Sequence, residues 1–325
     1  MDLGSVLARS LRVAVRDRRL WLFGFLAALG GETGPSFPDR FFVDLAPQAD
    51  SRLPIETLRW IHGHLLFLAV GFLALLGLSL FIALLAVWGQ GALILGAGEA
   101  LADRPLPLGA VAWQTTRRYP RILGILLLLG MPSLLVTILF AAVVLGGGLL
   151  AVLSRQEAGR ALGVLIACLG GLVLLGCLLL LTWALHLWSR LALRAALLED
   201  RPWREALTQG LQIARRRIGE VLLLWLVVDV AILGLLTLVL GFAMSVLFTP
   251  FAIGTLVPLF REARRVDLST LLRGLGMVLV FGICLGGLSR LLLAPVLTFV
   301  ETAWTAAYTT WARPPAAPAG AGGLG

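Results

Sequence analysis

Long apolar runs separated by short arginine-rich segments set the reading of this chain. Four runs, 65–98, 122–153, 161–198 and 218–248, exceed the roughly 20 residues that a helix needs to cross a bilayer. A fifth, 271–311, carries Arg273, Arg290 and Glu301 within it. The first run, 20–31, has 12 residues and must borrow the preceding helix or cross a thinned bilayer. Together they predict an all-α, polytopic transmembrane bundle of about six spans. Residues 218–260 also admit two spans broken near Pro250. The preferred reading makes 249–260 a proline-containing turn or re-entrant piece, so that 249–273 is either an outer loop or part of an extra span.

A second pattern, with the 3.6-residue period of a helix, lies between the spans. Residues 202–217 put Trp203, Leu207, Gly210, Leu211 and Ala214 on one face, and Arg204, Glu205, Thr208, Gln212 and Arg215 on the other. Near the N-terminus Asp2 is a helix cap, Leu3, Val6, Leu7, Leu11 and Ala14 form an apolar face, and Arg9, Arg12, Arg16 and Arg19 form a stripe. Asp103-Arg104-Pro105 returns 97 residues later as Asp200-Arg201-Pro202. Arginines follow each copy, Arg117-Arg118 and Arg215-Arg216-Arg217. Asp and Pro favour a helix start, so each copy reads as a stop and restart. Three units result, 1–101, 102–199 and 200–312, within one integral membrane domain. Each is a basic amphipathic helix in the membrane plane followed by a transmembrane hairpin.

Composition sharpens this picture. Apolar residues make up 59%, charged residues 14%, and the mean hydropathy is +0.95. Soluble domains hold about 45–50% and about 25% respectively, so soluble, disordered and disulfide-scaffold classes are excluded. All 27 basic residues are arginines and the net charge is +9. With a cytoplasmic N-terminus, seventeen arginines fall inside and nine outside, which supports N-in and C-in. Arg261, Arg264, Arg265 and Arg273 are the exceptions that this topology leaves outside. No aromatic-interleaved basic stripe suggests nucleic acid.

Some of these elements resemble a known family. They are the N-terminal basic helix running into Leu20-Trp21-Leu22-Phe23-Gly24, Glu199-Asp200 followed by Glu205-Ala206-Leu207, Gly210 and the arginine run, and the closing Glu301-Thr302-Ala303-Trp304-Thr305-Ala306-Ala307-Tyr308. They are similar to the membrane domain of the glycerophosphoryl diester phosphodiesterase family and its stand-alone bacterial relatives. The resemblance implies a six-span membrane domain. It does not imply the phosphodiesterase chemistry, which belongs to a separate soluble domain.

Candidate chemistry is sparse. Asp229 falls near mid-bilayer, and an ionisable residue there is a functional candidate by default. Arg290 lies at comparable depth, so the two read as a buried ion pair fixing helix register or as a relay. Glu301, 11 residues beyond Arg290, lies on nearly the same helix face. It either lines a polar cavity with Thr298, Thr302 and Thr305 or sits at the inner interface beside Trp304 and Tyr308. His62 and His64, with Glu56 upstream, are a weak metal signal, and His186 reads as interfacial. Cys168, Cys177 and Cys284 read as small packing residues. Gly282 and Gly286 read as a helix-contact face, Gly146–Gly148, Gly170 and Gly171 as packing or flexible positions, and Pro132 and Pro295 as kinks.

The sequence therefore predicts a non-enzymatic, multi-pass protein of the bacterial inner membrane, without catalytic residues, cofactor or metal. Its expected partners are anionic headgroups of cytoplasmic-leaflet lipids and other membrane proteins. The headgroup candidates are Arg9, Arg12, Arg16, Arg19, Arg117, Arg118, Arg215, Arg216 and Arg217. A transporter or permease subunit using Asp229, Arg290 and Glu301 is the alternative. The Pro/Ala/Gly-rich residues 313–325 read as a disordered end.

Overall fold

The computed structural model describes residues 2–30, 55–104, 107–154, 156–262 and 268–312. Every regular element among them is a helix. Two short helices open the chain, α1 (Leu3–Arg16) and α2 (Leu20–Ala28). Two long ones follow, α3 (Ile55–Leu101) and α4 (Leu108–Leu153). Next come α5 (Glu157–Leu198), with a π-helical turn at Ile166–Gly170, and α6 (Trp203–Arg216). The helix α7 covers 218–262 with a π-helical stretch at Leu226–Gly234, and α8 is Leu268–Ala312.

Five described segments are long and apolar enough to cross a membrane: Ala69–Leu101, Leu108–Leu153, Glu157–Leu198, Ile218–Leu247 and Cys284–Ala312. Their outward faces are apolar, with Val152 78%, Leu145 71% and Phe242 70% exposed. Water would not tolerate a continuous surface of this kind, so this is a membrane protein. In hydrocarbon every backbone polar group must be bonded internally, which is why apolar runs of this length fold as helices. From Arg121 to Leu153, α4 covers about 48 Å at 1.5 Å per residue, close to the full bilayer with headgroups at moderate tilt.

The structure corrects three expectations about the elements. The first apolar run forms only the nine-residue α2, about 13 Å long and less than half of the hydrocarbon thickness. The turn expected at 249–260 is helical, because α7 runs through to Glu262. A proline forfeits one hydrogen bond, whereas ending a helix there strands several carbonyls and amides. The middle basic segment is no separate helix either: α4 passes unbroken through Arg117, Arg118, Pro120 and Arg121. By contrast α1 ends at Asp17 and α6 at Arg217, where the backbone leaves helical geometry.

Two compact units divide the chain. One holds Asp2–Val111 and Leu226–Ala303, the other Ala112–Trp225 and Trp304–Gly325. In the first, α1 and α2 pack on α3. Phe23 meets Trp88 edge-on at 6.0 Å between ring centres. Small residues allow the close approach: a Cβ on Gly89 would lie 2.6 Å from Cβ of Leu26, and one on Gly24 would lie 2.5 Å from the carbonyl oxygen of Ala294. In the second unit, α6 lies along the end of α5. There a Cβ on Gly210 would come within 2.8 Å of the Ala192 nitrogen. The α4–α5 hairpin closes through Gly147 against Ala167 and Gly163 against Ala151.

The amphipathic faces are only partly covered by protein. On α1 the buried residues are Val6, Ser10, Val13 and Ala14, while Leu11 is 56% exposed. On α6 they are Ala206, Leu207 and Gly210. Asp2 caps α1 as expected, accepting from the Gly4 amide at 3.1 Å. Cys168, Cys177 and Cys284 are exposed and do not pack, and open space surrounds Gly286, Gly146 and Gly148. In a lipid-embedded helix a small apolar residue is as well placed outside as inside, so its apolarity predicts no contact.

Candidate functional site

The charged residues gather at helix ends, and the Asp-Arg-Pro repeat organises two of them. Asp103 and Asp200 have φ of 54° and 53°, the left-handed region, unlike any other non-glycine residue among those described. Asp is one of the few side-chain-bearing residues that enters this region readily. Each therefore stops the helix before it, as a left-handed C-terminal cap. The Arg104 amide closes the first cap on the Glu99 carbonyl at 3.1 Å. Of the expected stop and restart, the aspartate supplies the stop, and Pro202 is the N-cap of α6.

Asp also offers a carboxylate that glycine, the usual residue at this position, lacks. In one unit Arg16 donates to Asp103 with both terminal nitrogens, at 3.1 and 3.2 Å. Arg9 donates to the Leu101 carbonyl at 2.6 Å. In the other unit Arg121 and Arg118 reach Asp200 at 2.8 and 3.2 Å, and Arg118 also donates to the Leu197 carbonyl at 2.5 Å. A cation on the last carbonyls of a helix satisfies orphan acceptors and complements the helix dipole. The same two-arginine device is built twice.

Within the second unit a further cluster joins α5, α6 and the end of α8. Arg190 and Arg194 are 4% and 0% exposed, and their guanidinium carbons lie 5.5 and 5.8 Å from the centre of the Trp304 ring. Arg190 Nε donates to His186 Nε2 at 3.0 Å, which fixes that nitrogen as the acceptor. Arg194 donates to the Arg190 carbonyl at 2.7 Å. Burying two guanidiniums is costly, and an aromatic face that desolvates them offsets part of that cost. Glu199 accepts from the Tyr308 hydroxyl at 2.5 Å, from Gln209 at 3.0 Å and from Arg201 at 2.8 Å. Burial pushes its carboxyl up, but these hydrogen bonds outweigh that and hold it below the usual carboxylate range. Glu220 accepts from Trp311 Nε1 at 2.7 Å and from Arg217 at 2.8 Å. Carboxylates at both ends of α6 thereby hold the aromatic donors of one stretch of α8.

In the first unit Arg290 donates to the carbonyl of Ala28, the final residue of α2. Thr298 donates to the Ala294 carbonyl at 2.8 Å and lies 3.4 Å from the Leu20 carbonyl. Glu301 is 3% exposed, and Thr298 and Thr302 are fully buried. The partly buried Asp229 lies in the π-helical stretch of α7. A cleft of about 280 Å³ at the tip of α2 is lined by Leu29, Gly30, Leu75, Leu78, Ser79 and Ile82, so its wall is apolar apart from one hydroxyl.

Several sequence-derived candidates thus become structural parts. Arg9, Arg16, Arg118 and Arg217 bind protein groups. Arg12, Arg19, Arg117, Arg215 and Arg216 are exposed. Glu301 is buried in α8, as are Trp304 and Tyr308. For His62 and His64 the backbone is helical, and their side chains lie outside the described residues, as does the tail 313–325. Sequence reasoning missed the Arg190–Arg194–Trp304 stack, although His186, Arg190 and Arg194 recur every fourth residue and so share a helix face. No family model, curated protein or solved structure matches this chain.

Proposed function

We propose that this chain is a non-enzymatic multi-pass protein of the bacterial inner membrane. Its N- and C-termini face the cytoplasm, and its basic helix ends hold anionic headgroups. It organises the surrounding lipid or carries a lipid-handling partner. The observation that supports the reading is the placement of the arginines. Within one unit α1 meets the end of α3, within the other the first turns of α4 meet the end of α5, and only six residues separate α3 from α4. Each unit gathers its arginines at helix ends beside apolar spans, as cytoplasmic segments do. In this topology α2 opens the first of six crossings, and α1 and α6 lie along the membrane surface. The likeness of its short motifs to the phosphodiesterase-associated membrane domain belongs to the same reading.

The polar groups of the second unit support a structural role, because Glu199, Glu220, Tyr308 and Trp311 bond one another across helices. The test has two arms. Single cysteines at Thr208 and Gln156, in a chain with Cys168, Cys177 and Cys284 replaced by alanine, are labelled in intact spheroplasts with a charged maleimide. Labelling at 156 and protection at 208 is expected, and the reverse overturns the orientation. Purified protein in vesicles should then melt at higher temperature with phosphatidylglycerol than with phosphatidylcholine, and equal melting ends the headgroup reading.

A second reading, a transporter or permease subunit, is favoured by one observation: α2 is a half-length helix beside the buried polar face of α8. Broken helices of this kind build binding sites in transporters. Protection of Ser79→Cys from a small membrane-permeant thiol reagent by a transported solute would support it, and no solute-dependent change would end it.

A further inference from the structure

The headgroup reading treats all cytoplasmic arginines alike, and the structure separates them. Arg9, Arg16, Arg118, Arg121, Arg201 and Arg217 each donate to a protein acceptor at 2.5–3.2 Å. Arg12, Arg19, Arg117, Arg215 and Arg216 are exposed and make no hydrogen bond or ion pair to another described residue. Their donors, five per guanidinium, are turned outward.

Depth singles out the same group. Arg215 and Arg216 end α6, within three residues of Ile218, where an apolar span begins. That distance, about 5 Å along a helix, is the depth of the phosphate layer. Arg19 directly precedes the apolar α2. Beside Arg12, Leu11 is 56% and Val15 60% exposed, so this part of α1 presents apolar side chains next to a cation, as an interfacial helix does. Arg117 lies five residues ahead of the apolar run that starts at Ile122. The guanidinium fork matches phosphate oxygens in a bidentate way that a lysine cannot.

Resting on the headgroup reading, we infer that Arg12, Arg19, Arg117, Arg215 and Arg216 bind lipid phosphate, and that Arg9, Arg16, Arg118 and Arg217 serve the fold alone. Two arginine sets that look identical in sequence then respond oppositely to lipid. The α6 pair is the strongest site, since adjacent cations serve one phosphate or two neighbouring ones.

The test is thermal unfolding of the full chain in a non-ionic detergent. It is run without additive and with phosphatidylglycerol, phosphatidylcholine or inorganic phosphate. Replacing all five outward arginines by glutamine should leave the additive-free melting temperature unchanged and remove at least half of the shift produced by phosphatidylglycerol. Arg215→Gln with Arg216→Gln should remove the largest single share. Arg9→Gln with Arg118→Gln should lower the additive-free melting temperature and keep the full shift; Arg217→Gln is the milder variant if that pair does not fold. A five-fold variant that keeps the full shift, or an Arg9/Arg118 variant that loses it, overturns the assignment while leaving the headgroup reading intact. Equal stabilisation by both lipids overturns the reading itself. A full shift from inorganic phosphate alone overturns the lipid as the source.

Discussion

The guanidinium of Arg290, deep in α8, donates to the carbonyl oxygen of Ala28 at the C-terminal end of α2. The end of a helix leaves its last carbonyls without intrahelical partners, and a cation there also meets the negative end of the dipole. An intramembrane arginine that first reads as half of an ion pair thus has a second role, as the cap of a half-length helix. Arg290→Met removes the donor and keeps the apolar stem. It should cost about 2 kcal/mol, in the range for a charged hydrogen bond left unmade. Arg290→Lys should retain part of that. Melting temperatures in detergent measure both, and a Met variant as stable as wild type would remove Arg290 from this role.

Glycine contacts fix where α2 sits. Gly24→Ala would set a Cβ 2.5 Å from the backbone oxygen of Ala294, an atom that cannot swing aside. Overpacking of this kind costs about 1–3 kcal/mol. Around Gly71 of α3 there is open space, so Gly71→Ala should be neutral, or stabilising by up to about 1 kcal/mol through helix propensity. A matching pair of melts would show that the α2 contact is absent.

The left-handed stop at Asp200 separates backbone from side-chain effects. Asp200→Gly relieves the backbone and loses the contacts with Arg118 and Arg121, while Asp200→Asn keeps a side chain suited to φ near 53°. Those ion pairs are half exposed and therefore weak, so both variants should stay within about 1 kcal/mol of wild type. Asp200→Val forces a β-branched residue into the same conformation and should lose roughly 2 kcal/mol. Chemical unfolding followed by tryptophan fluorescence ranks the three. Equal loss in all of them would mean that the charge, not the backbone, is what matters.

Much of this architecture was legible in the apolar runs, because in hydrocarbon a run of sufficient length has no alternative to a helix. What the runs could not tell was where a helix stops. Both prolines and arginine clusters looked like breaks, yet α4 passes Pro120 and the arginines beside it, and α7 is still helical at Glu262. The repeat was legible as a recurrence, but its mechanism was not. Asp103 and Asp200 end helices through a dihedral angle that no residue pattern states. The apolar faces of α1 and α6 are divided, with Val6, Ala14, Ala206 and Leu207 buried against protein and Leu11 and Trp203 exposed, since a hydrophobic stripe does not say which apolar medium it meets. The bonds that Glu199 accepts were not legible because its partners, Gln209 and Tyr308, lie 10 and 109 residues away.

That glutamate gives the protein a defined response to acid. Burial alone would raise its pKa, but hydrogen bonds from Tyr308, Gln209 and Arg201 prevail and lower it from the ordinary value of 4.5. A carboxyl lowered in the folded state contributes stability that is present above the unfolded pKa and is lost as pH falls through the folded one. The melting temperature of wild type should therefore hold from pH 7 to about 5 and drop below about 4.5. Glu199→Gln should melt lower at pH 7 and change less on acidification, so that the two curves converge. Tyr308→Phe removes the shortest of the stabilising bonds, so it should lower the melting temperature at pH 7 and shrink the acid drop, which still begins near the unfolded pKa. Melts at half-unit steps of pH decide it: parallel curves for wild type and Glu199→Gln would place the acid sensitivity elsewhere in the chain.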